Sequence, residues 1–133
     1  MIRRQRMALL CLPWFWRPAF AQEHADKPET VVITFHAKRV AEAELERVIA
    51  RHWDTARAMN LVRDTPHVTV RGAEGDGKAY FLDIFTWRDA SVPATAPAEI
   101  RRIWDDMNGL VESRAGHRGL EISPVSIVRQ PLR

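Results

Sequence analysis

The stretch Lys78-Ala-Tyr-Phe-Leu-Asp-Ile-Phe-Thr-Trp-Arg-Asp89 decides how the rest of the chain is read. Its middle is apolar or aromatic at both alternating sets of positions, with one acid, Asp83, set inside. A strand with one wet face alternates apolar and polar residues, whereas one covered on both faces reads as a near-continuous apolar run. The stretch therefore predicts a central strand with helices on one side and a second covering on the other. Taking Leu82 and Ile84 as the helix-facing pair puts Phe81, Phe85 and Trp87 on that second side. An aromatic face of this kind is not left bare on a soluble monomer.

Outward from this strand the pattern alternates between periods of two and 3.6. Thr30 to Ala37 is rich in β-branched residues and predicts a strand, with Val31, Ile33 and Phe35 on one face and Val32, Thr34 and His36 on the other. Ala41 to Met59 predicts an amphipathic helix, since Leu45, Val48, Ile49, His52, Trp53, Ala56 and Met59 recur at helical spacing and the acids gather near its start. Asn60 and Asp64-Thr65-Pro66 close it, and His67 to Arg71 reads as a short strand joined to the central one through the glycine-rich Gly72–Gly77 turn. A loop with Pro93 and Pro97 leads to a second helix carrying Ile100, Ile103, Trp104, Met107, Leu110, Val111 and Arg114, with Asn108-Gly109 inside it as a bend and Gly116 and Gly119 as its end. Leu120 to Val128 is a last strand, and Pro124 suits an edge position. The order β-α-β-β-α-β predicts an α+β, ferredoxin-like domain over residues 30–130, with two helices on one face of a four-stranded antiparallel sheet.

Charge and cysteine content narrow the function. The net charge of +3 is local: residues 1–21 hold Arg3, Arg4, Arg6 and Arg17 and no acid, and the remainder carries 16 basic against 17 acidic residues. Without a basic stripe, nucleic-acid binding has no electrostatic basis, and the first strand lacks the aromatic pair that RNA stacking needs. The arginines, the short apolar run Met7 to Trp16 and Ala19-Phe20-Ala21 read as a signal peptide over residues 1–21, followed by a polar linker over 22–29. The apolar run is shorter than the roughly 20 residues of a spanning helix, so stable membrane insertion after cleavage is not expected. Cys11 is the single cysteine and falls in that segment, which removes disulfides, thiol nucleophiles and thiolate metal sites from the mature chain.

The central strand Phe81-Leu-Asp-Ile-Phe-Thr-Trp87-Arg-Asp, the loop and the helix from Ala98 to Arg114, within the strand order from Thr30 to Val128, resemble the dimeric α+β barrel superfamily, which includes antibiotic-biosynthesis monooxygenases and stress-responsive barrel proteins. The resemblance implies a homodimer with sheets face to face and a cavity for a small, often aromatic molecule. It implies either cofactor-independent oxygenation or binding without catalysis. The haem-degrading branch is disfavoured: Trp87 matches its strand tryptophan, but the first strand offers Thr34 and His36 where that branch has Asn, and the second helix has no His.

Placing the polar residues of each strand on the non-helix face gathers His36, His67, Thr69, Arg71, Asp83 and Glu121 towards one cavity with Phe81, Phe85 and Trp87. His36 and His67 with Asp83 then suit a general base and its orienting partner. The same residue types suit a 2-His-1-carboxylate metal set, and they suit ordinary hydrogen-bonded residues with Asp83 paired to Arg71. We carry forward His36, His67 and Asp83 as catalytic candidates and Phe81, Phe85, Trp87, Trp104, Asn108 and Arg71 as ligand contacts, with no metal and no cofactor. His52 reads as a helix-face residue. No P-loop, dinucleotide fingerprint or serine elbow is present.

Overall fold

The computed structural model describes residues 27–128, so the predicted signal peptide lies outside the described residues. Strand β1 (Glu29–His36) leads through a 3-10 turn (Arg39–Ala41) into helix α1 (Glu42–Ala58). Strands β2 (Val62–Ala73) and β3 (Ala79–Trp87) form the hairpin, a second 3-10 turn (Val92–Thr95) precedes helix α2 (Ala98–Gly109), and β4 (Leu120–Pro124) closes the set. The sheet order is β2-β3-β1-β4 and every pairing is antiparallel. This is the ferredoxin-like plan, with the apolar-rich β3 central and β4, with its proline, at an edge. Lys27 already belongs to the fold: its N–H donates to Asp89 Oδ1 at 3.0 Å and its carbonyl accepts from Ala90.

Helix α1 forms where the 3.6-residue stripe predicts it. Leu45, Val48, Ile49, His52 and Ala56 are buried along one face, and Asn60, in the left-handed region at φ 60°, ends it as the residue type that, after glycine, best adopts that conformation. Helix α2 departs from expectation. It stops at Gly109 rather than bending there, and Arg114 is not on it. The low helix propensity of Asn108-Gly109 meets a better set of partners for the following backbone: Lys38 N–H donates to the Leu110 carbonyl, Glu112 N–H donates to the His36 carbonyl, and Val111 bridges Ala37. The β2 strand is longer than the predicted His67–Arg71, with a register irregularity between Val62 and His67, and β4 is shorter than the predicted Leu120–Val128.

The face assignment of β3 is the main correction. Directly opposed residues of antiparallel strands share a face, and the register sets Val31 opposite Phe85, Ile33 opposite Asp83 and Phe35 opposite Phe81. Phe81, Asp83, Phe85 and Trp87 therefore lie under the helices with Val31, Ile33 and Phe35, all of them buried. Leu82 and Ile84 instead share the open face with Val32 and Thr34 of β1 and Val68 and Val70 of β2. The bulky aromatic set fills the thick layer between sheet and helices; the aliphatic set makes a flatter outer surface.

Candidate functional site

Two polar groups and one apolar cavity emerge from this arrangement. The first group lies under the helices, where β2 and β3 pair. Asp83 is completely buried; its Oδ1 accepts from the Thr69 hydroxyl at 2.8 Å and lies 3.1 Å from His67 Nε2. The His67 ring stacks on Trp53 of α1, centroids 3.7 Å apart and planes within 11°. Asp83 Oδ2 has no partner among the described residues. Burial pushes the Asp83 carboxyl above its usual range, against the opposing pull of Thr69 and His67.

That direction sets a pH dependence. A carboxyl held above its unfolded value, near 3.8, contributes its full stability below that value and loses it as pH rises through the folded one. Asp83→Asn removes the loss, since the amide oxygen still accepts from Thr69 and from the Nε2–H tautomer of His67 and the amide carries no charge. Urea unfolding at pH 8 should find this variant more stable than the parent by about 1 kcal/mol, the order of an unpaired buried polar atom. The gain should vanish near pH 3; equal stability at both pH values would count against the buried-charge reading.

The second polar group lies elsewhere. His36 is on the open face of the sheet, with Nδ1 2.7 Å from Glu74 Oε1 and Nε2 3.9 Å from Glu121, and its ring stacks near His117. The expected gathering of His36 with His67 and Asp83 is therefore corrected: the sheet stands between them, and the three cannot share a substrate proton or a metal ion. Among the described residues no group of three His, Cys, Asp or Glu side chains is placed to hold a metal. Asp83 does not pair with Arg71, whose guanidinium reaches Glu42 at 2.9 Å and lies over the Phe81 ring.

The cavity is at the opposite side of the same layer, between α2, β1 and the edge strand β4. Its volume is about 300 Å³. Val31, Ile33, Met107, Leu120 and Ile122 supply aliphatic wall, Trp87 and Trp104 supply aromatic wall, and Glu29 and Asn108 are its polar side chains. Of the ligand contacts read from sequence, Trp87, Trp104 and Asn108 line this cavity; Phe81, Phe85 and Arg71 do not. Phe85 sits behind it, 4.8 Å from Trp87 in an edge-on contact and 6.3 Å from Trp53. It thus stands in the chain of contacts between the cavity wall and the Trp53–His67 stack.

His52 is a residue that sequence reasoning undervalued. It is buried on α1, and its Nε2 accepts from the Trp104 indole N–H at 2.9 Å. Burial, followed by the nearby His67, lowers its pKa to about 4, so the ring is neutral at ordinary pH and can serve as acceptor. The signal was present in the sequence: His52 and Trp104 each occupy the apolar stripe of a helix, and packing the two helices on one sheet face brings such stripes together.

The class this fold defines is the ferredoxin-like α+β domain, two helices on one face of a four-stranded antiparallel sheet. No family model matches the sequence, and no curated protein matches it significantly. Solved structures do share the fold. SnoaB, a cofactor-independent oxygenase from Streptomyces nogalater, in a point-mutant form, is 22% identical with a TM-score of 0.56, over 79% of this chain and 96% of its own. Rv0793 from Mycobacterium tuberculosis is 12% identical with a TM-score of 0.54, over 78% and 98%. A conserved protein of unknown function from Bacteroides thetaiotaomicron is 13% identical with a TM-score of 0.55, over 76% and 100%. At these identities the likeness establishes the fold.

Proposed function

We propose that the protein is an exported homodimer that binds a small aromatic or otherwise apolar molecule between α2 and the β1–β4 side of the sheet. The cavity carries this reading. Its volume of about 300 Å³ is at the small end of ligand pockets, and its walls combine aliphatic and indole surface with two polar side chains able to orient one polar end of a ligand. Dimerisation is supported by the open sheet face, where Val68 and Val70 are 48% and 43% exposed beside half-buried Val32, Leu82 and Ile84. A second copy laid sheet to sheet would cover that row. Export rests on the composition of residues 1–21.

Titration with N-phenyl-1-naphthylamine, followed by quenching of tryptophan fluorescence, tests the cavity. We expect saturable binding of one probe per protomer, and at least tenfold weaker binding in Met107→Trp, whose larger side chain occupies the same space. Equal binding by parent and variant would reject the site. Sedimentation of Ile84→Asp should give a monomer where the parent gives a dimer.

A second reading, cofactor-independent oxygenation of the bound molecule, is favoured by the shared fold with SnoaB and by the buried His67–Asp83 pair. That pair lies behind Phe85 rather than in the cavity wall, so a ligand in the cavity does not meet it directly. Oxygen uptake on an electron-rich phenol, lost in His67→Phe with probe binding intact, would establish this reading; absence of uptake leaves the binding function.

A further inference from the structure

We infer that His52 is a positioning residue: by accepting the Trp104 indole N–H it fixes one wall of the cavity and removes the indole as a hydrogen-bond donor to whatever the cavity holds. This deepens the binding reading above and rests on it. Three observations carry the inference. The hydrogen bond joins α1 to α2 at 2.9 Å through a side chain that is 1% exposed. The His52 ring is boxed by Phe85 at 5.7 Å, Trp87 at 6.0 Å and Trp104 at 6.3 Å, so it has no room to turn away. Trp87 and Trp104, both cavity walls, meet edge to face at 6.3 Å, so a shift of one indole displaces the other.

The consequence concerns ligand class. His52 does not line the cavity, yet it engages the only hydrogen-bond donor of an indole that does. The Trp104 wall therefore offers a ligand ring contact alone, and the polar side chains Glu29 and Asn108 are placed to meet a polar end. Glu29 is an acceptor, and the Asn108 amide both donates and accepts. On the Trp104 side this arrangement selects a flat apolar body, with any hydroxyl or amine end placed towards Glu29 and Asn108, over a ligand that presents an acceptor to that wall.

The Trp104 indole is observable directly in the ¹⁵N–¹H spectrum of the protein, assigned by its loss in Trp104→Phe. The groups facing His52 from β3 and α2 are Phe85, Trp87 and Trp104, none of which titrates near pH 4; His67 on β2 is the ionisable neighbour that acts on it, and Asp83 is bonded to His67. In the parent the indole resonance should move with a midpoint near pH 4 as His52 gains a proton and ceases to accept. His52→Leu should shift the resonance and abolish that titration, and should weaken N-phenyl-1-naphthylamine binding at least tenfold at pH 7. His52→Gln, whose amide oxygen is an acceptor, should restore affinity to within about threefold. An unmoved indole resonance in His52→Leu overturns the inference, as does parent-like probe affinity in that variant. If the parent itself fails to bind the probe, the cavity reading falls, and the resonance and its titration still decide whether His52 holds Trp104.

Discussion

Phe85→Ala is expected to lower stability by about 3–5 kcal/mol, the range for truncating a large buried aromatic. In a domain of this size that is a fall in melting temperature of roughly 15 °C or more. The ring is completely buried beneath the helices and touches three aromatic groups from two elements: Trp87 at 4.8 Å, His52 at 5.7 Å and Trp53 at 6.3 Å. Its removal empties the middle of the sheet–helix layer, where no neighbouring side chain can collapse into the space without releasing the Trp53–His67 stack or the Trp87–Trp104 contact. Leu82→Ala, one strand position away from Asp83 on the open face, provides the comparison. Its loss should be smaller in the isolated protomer and should depend on protein concentration, because the proposed dimer would cover that side chain with a second copy. Thermal melts of the two variants at two concentrations check the face assignment. A larger, concentration-independent loss for Leu82→Ala would mean that the helices cover the other side of β3.

Arg114→Met should cost about 3 kcal/mol, although the residue belongs to no helix or strand. Its guanidinium is nearly buried and donates to the carbonyls of Ala37 at 2.7 Å and Ala79 at 3.0 Å, to Glu74 at 2.9 Å and to Glu112 at 3.1 Å. One side chain thus ties the end of β1, the start of β3, the hairpin turn and the segment after α2. Among the described residues, removing it leaves the Ala37 carbonyl without a partner and takes the shared cation from Glu74 and Glu112, which keep only His36 and Lys78. Lysine should recover little, because one ammonium cannot span the fork that the guanidinium spans.

The network also sets acid sensitivity. Glu74 is held below the usual carboxylate range by its hydrogen bond with His36 and then by Arg114; Glu112 is held below it by Lys78 and then Arg114. A depressed carboxylate contributes stability that is present above its unfolded value near 4.5 and is lost as pH falls through the folded one. Urea unfolding between pH 7 and pH 3 should therefore show a steep acid loss in the parent and a shallower one in Arg114→Met. Arg57→Met, which breaks only the exposed pair with Asp64, should change stability by less than about 0.5 kcal/mol at any of these values.

The order of elements was legible because each rests on a local periodicity: β-branched residues at Thr30 to Ala37, the Leu45–Ala56 stripe, the doubly apolar β3 and the Ile100–Met107 stripe. The end of α2 was not. Leu110, Val111 and Arg114 continue a helical stripe on paper, and only β1, distant in sequence, shows that their backbone and side chains have better partners at Ala37 and His36. The candidate site was legible as a list and not as a place. Trp87, Trp104 and Asn108 reach the cavity, and His67 does meet Asp83, but His36 was assigned to them by a choice of face that the sequence leaves open.

That choice marks the boundary between the two kinds of information. By itself the sequence determined which residues of β3 stand together, because side chains alternate with a period of two whatever surrounds them. It could not determine which set meets the helices, since both sets are apolar and a strand offers no local signal of its neighbours. Only the tertiary structure decided, by packing the aromatic set of β3 and the Val31, Ile33 and Phe35 set of β1 into one layer beneath α1 and α2. With that decision came the cavity, the separation of His36 from Asp83, and the meeting of His52 with Trp104.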